Sequence, residues 1–357
     1  MSQAVADVGV LQREMKSYLA DGFSLRSWLL TTDHKRIAVL YMVSITIFFF
    51  IGGTAASLMR YNLIVPNGML PSAETYDRLF TMHGVIMVWF FLVPAVPVTL
   101  GNFLVPLMLG ARDLAFPKIN LVSWYLFVSA GIFAVYALFA GGVDTGWTFY
   151  TPLSTHYALG HVVPIAVAVF IAGFSTIATG LNFIVTTHRL RAPGLTWYRL
   201  PIFIWSMYST SVIMVLATPV LAITLLLLGF ERIFHVGVFD PAYGGDPLLF
   251  EHLFWFYSHP AVYIMILPGM GVVSQIIPCF SSKDLFGYKF VAWSSVSIAV
   301  IGFAVWGHHM FVAGQSVYAS VVFSLLSYLV AVPSAIKVFN WLGTLHRGFI
   351  RFDAPMI

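Results

Sequence analysis

The sequence is poor in cysteine. Its 357 residues include one cysteine, Cys279. A single thiol excludes a disulfide within the chain, and it excludes covalent c-type haem attachment, which needs two cysteines ahead of a histidine. A cluster of metal ions held by thiolates of this chain alone is excluded for the same reason.

Charged residues are also scarce. They make up 9% of the chain, whereas an ordinary soluble domain carries about 25%. Hydrophobic residues make up 59% and aromatic residues 16%. This composition excludes an ordinary soluble domain and predicts an all-α polytopic membrane protein.

The N-terminal residues lack the features of a cleavable signal peptide. Residues 1–36 are polar and amphipathic, and no short apolar region among them ends in a small-residue cleavage site. We therefore expect a cytoplasmic amphipathic segment over residues 1–36, followed by a transmembrane domain over residues 37–357.

Eight apolar segments are each long enough to cross a hydrocarbon core of about 30 Å. The predicted transmembrane helices are 37–59, 79–109, 121–142, 157–187, 202–230, 250–280, 288–312 and 320–345. The links between them are short and hold Pro, Gly and Asp. No link is long enough to separate a second domain.

The positive charges predict the orientation in the membrane. If the N-terminus is cytoplasmic, 14 of the 18 basic residues lie on the cytoplasmic side and three lie in outer loops. Basic residues concentrate on the cytoplasmic side of membrane proteins. We therefore expect an integral protein of a bacterial-type cytoplasmic (inner) membrane, with its N-terminus in the cytoplasm.

Histidines interrupt two otherwise apolar segments. His259 and Tyr263 lie four residues apart in EHLFWFYSHPAVYIMILPGMG (251–271), and this spacing puts both side chains on one face of a helix. His308 and His309 follow about 50 residues later in VWGHHMF. Three neutral imidazoles from two neighbouring helices suit copper. We predict a copper site at these histidines.

Two further residues have two open interpretations each. His83 lies near the outer end of the second segment and is either a packed core histidine or an axial haem ligand, with Gly84 leaving space for a flat macrocycle. Arg60 ends the first segment. It is either an interfacial anchor or a partner for an anionic cofactor group.

Candidates for proton transfer lie toward the cytoplasmic side. Asp113 is in a short link and is either a solvated carboxylate or the entrance of a polar path through Asn102 and Asn120. Lys337 lies inside the last segment, three residues after Ser334. An intramembrane lysine is costly and is a functional hypothesis, and the alternative is a side chain that snorkels to the cytoplasmic surface.

Several motifs together resemble subunit I of the haem–copper oxygen reductases, the catalytic subunit of cytochrome c oxidase. They are the 251–271 stretch, VWGHHMF, GARDLAFPKIN, the FDPAYGGDP loop and TLHRG, and the match runs from about residue 31 to the last residue. The resemblance implies a twelve-helix fold of which this chain holds eight helices. The other four would carry the second axial ligand of the low-spin haem and the protein ligand of the active-site haem.

The resemblance also implies roles for the residues that match the family motifs. It implies three ligands of the active-site copper, which are His259, His308 and His309. Tyr263 would be the tyrosine joined covalently to the first copper histidine. His83 would be an axial ligand of the low-spin haem, and Arg60 would lie beside that haem.

Two proton paths follow from the same resemblance. Asp113 would stand at the entrance of one path, and Ser334 and Lys337 would belong to the other. Many members carry a glutamate two residues after the first copper histidine, where this chain has Ala261. The chain is similar to a subgroup that uses a Tyr-Ser pair instead, here Tyr257 and Ser258, and we expect a relay through hydrogen bonds and water.

The implied activity is reduction of O₂ to water, coupled to proton uptake and pumping, with electrons from cytochrome c. The implied cofactors are two haems, at least one of the a type, and one copper ion. The implied partners are subunit II with the site where electrons enter, subunit III, cytochrome c or an equivalent donor, and the lipid bilayer; no nucleic acid is expected. The alternatives are a quinol oxidase, a nitric oxide reductase, a channel or transporter, and a non-catalytic truncated remnant.

Overall fold

A computed structural model of the chain describes residues 17–19 and 22–357. Half of the expected N-terminal segment, residues 1–16 and 20–21, lies outside the described residues. Within the described part, Leu25–Leu29 form one helical turn capped by the Ser24 side chain. The guanidinium of Arg36 donates to the backbone carbonyls of Ser27 and Gly22, which holds this turn against the start of the first long helix.

Within the part of the chain that the structure describes, eight helices build the bundle. They are α1 His34–Asn62, α2 Ala73–Leu109, α3 Pro117–Phe139, α4 Val162–Arg189, α5 Ile202–Phe234, α6 Pro247–Ser281, α7 Tyr288–Gly302 and α8 Val317–Leu345. Seven of them are long and apolar enough to cross a membrane, and α7 is shorter. Among the described residues, the only β pairing is an isolated bridge between Val143 and Gly160. The all-α membrane fold is confirmed.

The predicted continuous helix over 288–312 is wrong. Helix α7 ends at Gly302, and a 3₁₀ turn, Trp306–Met310, follows it. A side chain at 302 would not fit, because a Cβ there would lie 2.6 Å from Cδ2 of Tyr263. The 15 residues of α7 rise only about 22 Å, less than the hydrocarbon core. Because α7 ends before it could cross the membrane, His308 and His309 lie in a turn within the bundle rather than on a helix.

Two of the long helices are irregular where prolines occur. Helix α2 contains π-helical stretches at Ile86–Leu92 and Pro97–Gly101, on either side of Val93–Val96. Helix α8 is interrupted at Val330. Pro333 lies four residues after Leu329, and a proline ring clashes with the carbonyl four residues before it. The proline thus explains the break.

Small residues allow the helices to approach one another. A Cβ at Gly131 of α3 would lie 1.9 Å from the Phe48 ring of α1, and a Cβ at Gly101 of α2 would lie 2.8 Å from the Phe183 ring of α4. Association of membrane helices depends on such close van der Waals contact because lipid supplies no hydrophobic drive. These contacts join α1 to α3 and α2 to α4; Phe48 and Phe183 belong to two separate hydrophobic cores of the described residues.

The loop between α5 and α6, which contains the FDPAYGGDP motif, is held in place by carboxylates. The buried Glu231 accepts hydrogen bonds from the backbone N–H groups of residues 238–240 at 2.9–3.0 Å. Asp240 caps the turn that follows, and Asp246 caps the start of α6. These acids therefore have structural roles, and they orient the beginning of the helix that carries His259.

Candidate metal centre and proton-transfer residues

Three histidines converge at the end of α7. His259 lies on α6 and is 5% exposed, and His308 and His309 lie on the 3₁₀ turn. One ring nitrogen from each lies within 4.8 Å of the others, and Nδ1 of His259 is 3.1 Å from Nε2 of His309. The three histidines predicted as copper ligands thus lie together, although two of them come from a turn rather than a helix.

The geometry of these nitrogens fits a bound metal. Two imidazole nitrogens on one metal at about 2.0–2.1 Å lie roughly 3–3.5 Å apart, and the His259–His309 distance falls in that range. This is the one group of three or more potential ligands that the described residues form. Imidazole nitrogens without a carboxylate suit copper or another late transition metal better than Mg²⁺ or Ca²⁺.

A serine fixes the tautomer of His308. Ser327 of α8 donates its hydroxyl proton to the carbonyl of Phe323 at 2.6 Å, so it must accept from Nδ1 of His308, which lies 2.7 Å away. The proton of the imidazole is therefore on Nδ1, and the lone pair is on Nε2. A hydrogen bond of this kind orients a ligand histidine and increases its basicity.

Aromatic rings enclose the histidines. The ring of Trp255 stacks on His309 with centroids 3.9 Å apart and planes at 5°, and its Nε1 donates to the hydroxyl of Tyr150 at 2.6 Å. Sequence reasoning missed Trp255, Tyr150 and Ser327. Trp255 is four residues before His259, so its place on the same helical face could have identified it; Ser327 could not be found that way.

Tyr263 lies beside His259, as the four-residue spacing predicts. The two ring centroids are 4.7 Å apart at 63°. The side chain is half-buried, and its ring packs on the bare backbone of Gly302. The tyrosine therefore reaches the same region as the three imidazoles.

A hydrogen bond orients His83 and leaves one of its ring nitrogens available as a ligand. Its Nδ1 donates to the carbonyl of Gly52 at 2.9 Å, which leaves the lone pair on Nε2. Gly84 leaves space for the side chain of Trp147, which would lie 2.9 Å from a Cβ built at residue 84. Arg60 is exposed in the last turn of α1 and lines an open surface groove.

Asp113 is half-buried in the link between α2 and α3, where its carboxylate accepts from the N–H of Leu114 at 2.6 Å. Burial raises the pKa of Asp113 to about 6. The sequence-based picture of a fully solvated carboxylate is therefore wrong. The group is ionised at neutral pH and takes up a proton in mild acid.

Asn102 and Asn120 are both buried, and both have unpaired amide atoms. The Oδ1 of Asn102 has no partner, and neither amide atom of Asn120 has one. Buried polar groups in this state usually contact ordered water. Asn102 and Asn120 therefore leave amide atoms available to water inside the bundle.

Beyond Asn120, a series of hydrogen-bonded hydroxyl groups follows, and sequence reasoning missed its residues. Ser123 donates to the carbonyl of Asn120 at 2.7 Å, and the hydroxyl of Tyr41 lies 2.9 Å from Ser123 and 3.0 Å from Ser175. Because Ser123 has given its only proton to the carbonyl, Tyr41 donates to Ser123 and Ser175 donates to Tyr41. Hydroxyls on three helices thus form one oriented chain.

Tyr257 and Ser258 are buried on α6, one turn or less before His259. The ring of Tyr257 stacks on Trp89 with centroids 5.7 Å apart. The hydroxyl of Ser258, the indole N–H of Trp89 and the Nε2 of His259 are buried without hydrogen-bond partners. These unpaired polar atoms are suitable partners for ordered water.

Lys337 is fully buried, so the snorkelling alternative is wrong. Its Nζ donates to the hydroxyl of Ser295 at 2.7 Å and to the carbonyl of Val291 at 3.2 Å, both on α7. The sequence suggests Ser334 as the polar neighbour, but that hydroxyl donates to the carbonyl of Val330 on its own helix. Ser295 was missed because its position relative to the lysine depends on how α7 packs against α8.

Comparisons with known proteins give the family. The profile of the family described as "Cytochrome C and Quinol oxidase polypeptide I" matches residues 36–357. The chain belongs to this family. It is 42% identical over 325 residues to cytochrome c oxidase subunit 1 of Synechocystis sp., covering 91% of this chain and 59% of the relative.

Two relatives in Bacillus subtilis illustrate the range of names within the family. The chain is 40% identical over 338 residues to its cytochrome c oxidase subunit 1, covering 94% of this chain and 54% of the relative. The chain is also 40% identical over 341 residues to the quinol oxidase subunit 1 of Bacillus subtilis, covering 92% of this chain and 51% of the relative. The chain thus spans about half to three-fifths of the length of these relatives. Family membership favours an oxidase over a channel or transporter.

Proposed function

We propose that the chain is part of the catalytic subunit of a terminal respiratory oxidase that reduces O₂ to water. The observation that carries the proposal is the convergence of His259, His308 and His309 on one position beside Tyr263. Each turnover consumes one O₂, four electrons and four protons and releases two water molecules.

The residues present fit the cofactors that this activity requires. His259, His308 and His309 would hold one copper ion, and His83 would be an axial ligand of a low-spin haem with Arg60 nearby. When bound, two haems, at least one of the a type, and the copper supply the electrons that reduce O₂. The protein's part is to orient these ligands and to bring protons to them.

Protons would reach the metal centre from the surface by two routes. Asp113, Asn102 and Asn120 would form the beginning of one route, in which Asp113 collects protons and water connects the buried amides. Tyr257 and Ser258 would relay those protons near His259. The unpaired polar atoms of this region support the proposal, because they provide sites for water molecules between the side chains.

A second route would use Ser334 and Lys337 and end at Tyr263. Lys337 is fully buried with its amine on Ser295 and Val291, so it can hold or release a proton without contact with bulk solvent. Tyr263 would then supply a proton and an electron from its hydroxyl. Its ring lies next to a ligand histidine, so the transfer distance is short.

The electron donor distinguishes two versions of this function. We favour cytochrome c as the donor, because the relatives from Synechocystis sp. and Bacillus subtilis are named cytochrome c oxidase subunit 1. A quinol is the second candidate, because the quinol oxidase subunit 1 of Bacillus subtilis is as similar to this chain as its cytochrome c oxidase subunit 1 is. Either version requires subunit II, subunit III and the bilayer. We place the protein in a bacterial-type cytoplasmic membrane with its N-terminus in the cytoplasm and expect proton pumping.

The test uses the full-length oxidase with its partner subunits. Copper and haem contents are measured, and O₂ consumption is followed with reduced cytochrome c and, separately, with a quinol. We expect bound copper and haem, and turnover with cytochrome c. Turnover with quinol alone would favour the quinol oxidase, and a preparation without copper that consumes no O₂ would contradict the proposal.

A further inference from the structure

An aromatic cluster lies at the end of the bundle where α4 ends and α5 begins. It comprises Trp197, Tyr198, Trp205, Tyr208 and Trp293. The Trp197 centroid is 5.4 Å from Trp205 and 5.1 Å from Tyr208, and Trp205 is 6.0 Å from Trp293. Tryptophan and tyrosine concentrate at the membrane–water interface. The cluster therefore marks the headgroup level at this end of the bundle.

Two cations lie on this cluster. The guanidinium of Arg191 is 5.0 Å from the centroid of Trp197, and Nζ of Lys289 is 5.3 Å from that of Tyr198. Neither residue forms an ion pair or a hydrogen bond with the described residues, and Nη1 of Arg191 is buried without a partner. By contrast, Lys283 at the same end donates to two backbone carbonyls. Arg191 and Lys289 thus have unused capacity for an anion.

An apolar groove begins at the aromatic cluster. It has a volume of about 280 Å³ and lies between α5 and α7; its lining residues are Tyr208, Ser209, Val212, Leu216, Val296, Ala299, Val300 and Phe303. Tyr208 belongs to both the cluster and the groove. Val296 lies three residues after Trp293, on the same face of α7. The groove therefore continues from the cations into the hydrocarbon layer.

We propose that this surface binds one anionic phospholipid. The phosphate would lie between Arg191 and Lys289, and one acyl chain would occupy the groove along α5 and α7. The unpaired cations match the charge of the headgroup, and the groove matches a hydrocarbon chain in both polarity and direction. A zwitterionic lipid would gain the groove but less from the two cations, so the site selects for net negative charge.

The test is a lipid titration of the delipidated full-length oxidase, followed by native mass spectrometry. Phosphatidylglycerol and phosphatidylcholine with identical acyl chains are compared, and inorganic phosphate is the competitor. We expect tight binding of one phosphatidylglycerol, weaker binding of phosphatidylcholine, and no displacement by phosphate. Arg191→Gln and Lys289→Gln should each weaken binding of phosphatidylglycerol about fivefold.

Two further variants separate the parts of the site. Lys118→Gln removes an exposed basic residue at the same end that does not contact the cluster, and it should leave binding unchanged. Val300→Trp fills the groove at an exposed position and should weaken both lipids. Unchanged affinity in Arg191→Gln and Lys289→Gln, or equal affinity for both lipids, would overturn the proposal.

The same titrations distinguish a lipid headgroup from a free anion, and they test whether an acyl chain occupies the groove. Displacement of the lipid by phosphate would assign the site to a free anion. Unchanged binding in Val300→Trp would show that no acyl chain lies in the groove. A partner subunit that covers the groove in the assembled enzyme would overturn the lipid site in the same way. The readout is bound lipid rather than O₂ consumption, so these results are independent of the proposed oxidase activity.

Discussion

The histidine triad and Lys337 both place basic nitrogens inside the membrane-spanning bundle, but their partners differ. At the triad, ring nitrogens of His259 and His309 face each other at 3.1 Å without a carboxylate. At Lys337, the amine donates to a hydroxyl and a carbonyl. The first arrangement presents lone pairs to a cation, and the second satisfies N–H donors. A buried basic group therefore indicates a metal site where it presents its lone pair beside other lone pairs, and a proton site where it donates its N–H groups to acceptors.

The first and largest effect should come from removing a ligand of the triad. In the full-length enzyme, His309→Ala leaves two imidazoles, which hold copper too weakly to survive purification, and O₂ reduction should be abolished. Copper per enzyme, measured by inductively coupled plasma mass spectrometry, should fall to background. His188→Ala removes an exposed histidine outside the triad and should keep its copper; full copper in His309→Ala would contradict the assignment.

Tyr263→Phe should stop turnover while copper stays bound. The substitution keeps the ring that packs on Gly302 but removes the hydroxyl that supplies a proton and an electron. O₂ consumption and copper content are measured on the same sample. Tyr150→Phe, which removes a hydroxyl that contacts Trp255 rather than a triad histidine, is the matched control and should keep turnover. Full activity in Tyr263→Phe would show that the tyrosine only packs beside His259.

Lys337→Met tests the other half of the comparison. Loss of the amine should slow reduction of the active site by about 10²-fold, in the range of general acid–base effects, while the low-spin haem still accepts electrons. Stopped-flow spectroscopy separates the two haems. Reduction of the active-site haem at the wild-type rate would show that the lysine has only a structural role.

Ser295 and Ser334 sharpen this result. Ser295→Ala removes an acceptor from the buried amine, and an unpaired buried donor costs about 1–3 kcal/mol. We expect Ser295→Ala to slow active-site reduction more than Ser334→Ala, because the hydroxyl of Ser334 is engaged with its own helix. The same stopped-flow measurement compares the rates of active-site reduction in the two variants. Slower reduction in Ser334→Ala than in Ser295→Ala would place the proton path on the side of Ser334.

Ser327→Ala should weaken copper binding by about 10–100-fold, as is typical for residues that orient a metal ligand. The alanine removes the acceptor that holds the proton on Nδ1 of His308. A chelator titration measures the affinity, and Ser327→Thr should restore it because threonine keeps the hydroxyl. If alanine and threonine behave alike, the serine does not orient the histidine.

The smallest expected effect is that of Asp113→Asn. Because burial raises the pKa of Asp113 to about 6, the ionised carboxylate is disfavoured in the folded chain. Its contribution to stability is therefore lost as the pH rises from about 4 through 6, and the variant should be relatively more stable at pH 7. Turnover should fall a few-fold and lose its pH dependence near pH 6, as measured by O₂ consumption between pH 5 and 8. An unchanged pH profile would contradict the role.

Sequence spacing predicted some of these features because they lie within one helix. The proximity of Tyr263 to His259 follows from a separation of four residues on α6, and the seven long spans follow from the length of their apolar runs. The position of His308 did not follow, since the apolar run continues past the real end of α7 at Gly302. The amino acids beyond Gly302 are as hydrophobic as those before it, so composition alone could not show the break.

The sequence by itself determined the membrane class, the seven long spans and the candidate histidines, because hydrophobicity and local spacing are properties of single segments. Only the tertiary structure decided that Ser295 holds Lys337, that Ser327 fixes the tautomer of His308, and that Trp255 stacks on His309. The hydrogen bond to Lys337 joins two helices, and the contacts of His308 and His309 join a turn to a helix. Their geometry depends on how the helices pack, which no periodicity within one segment records.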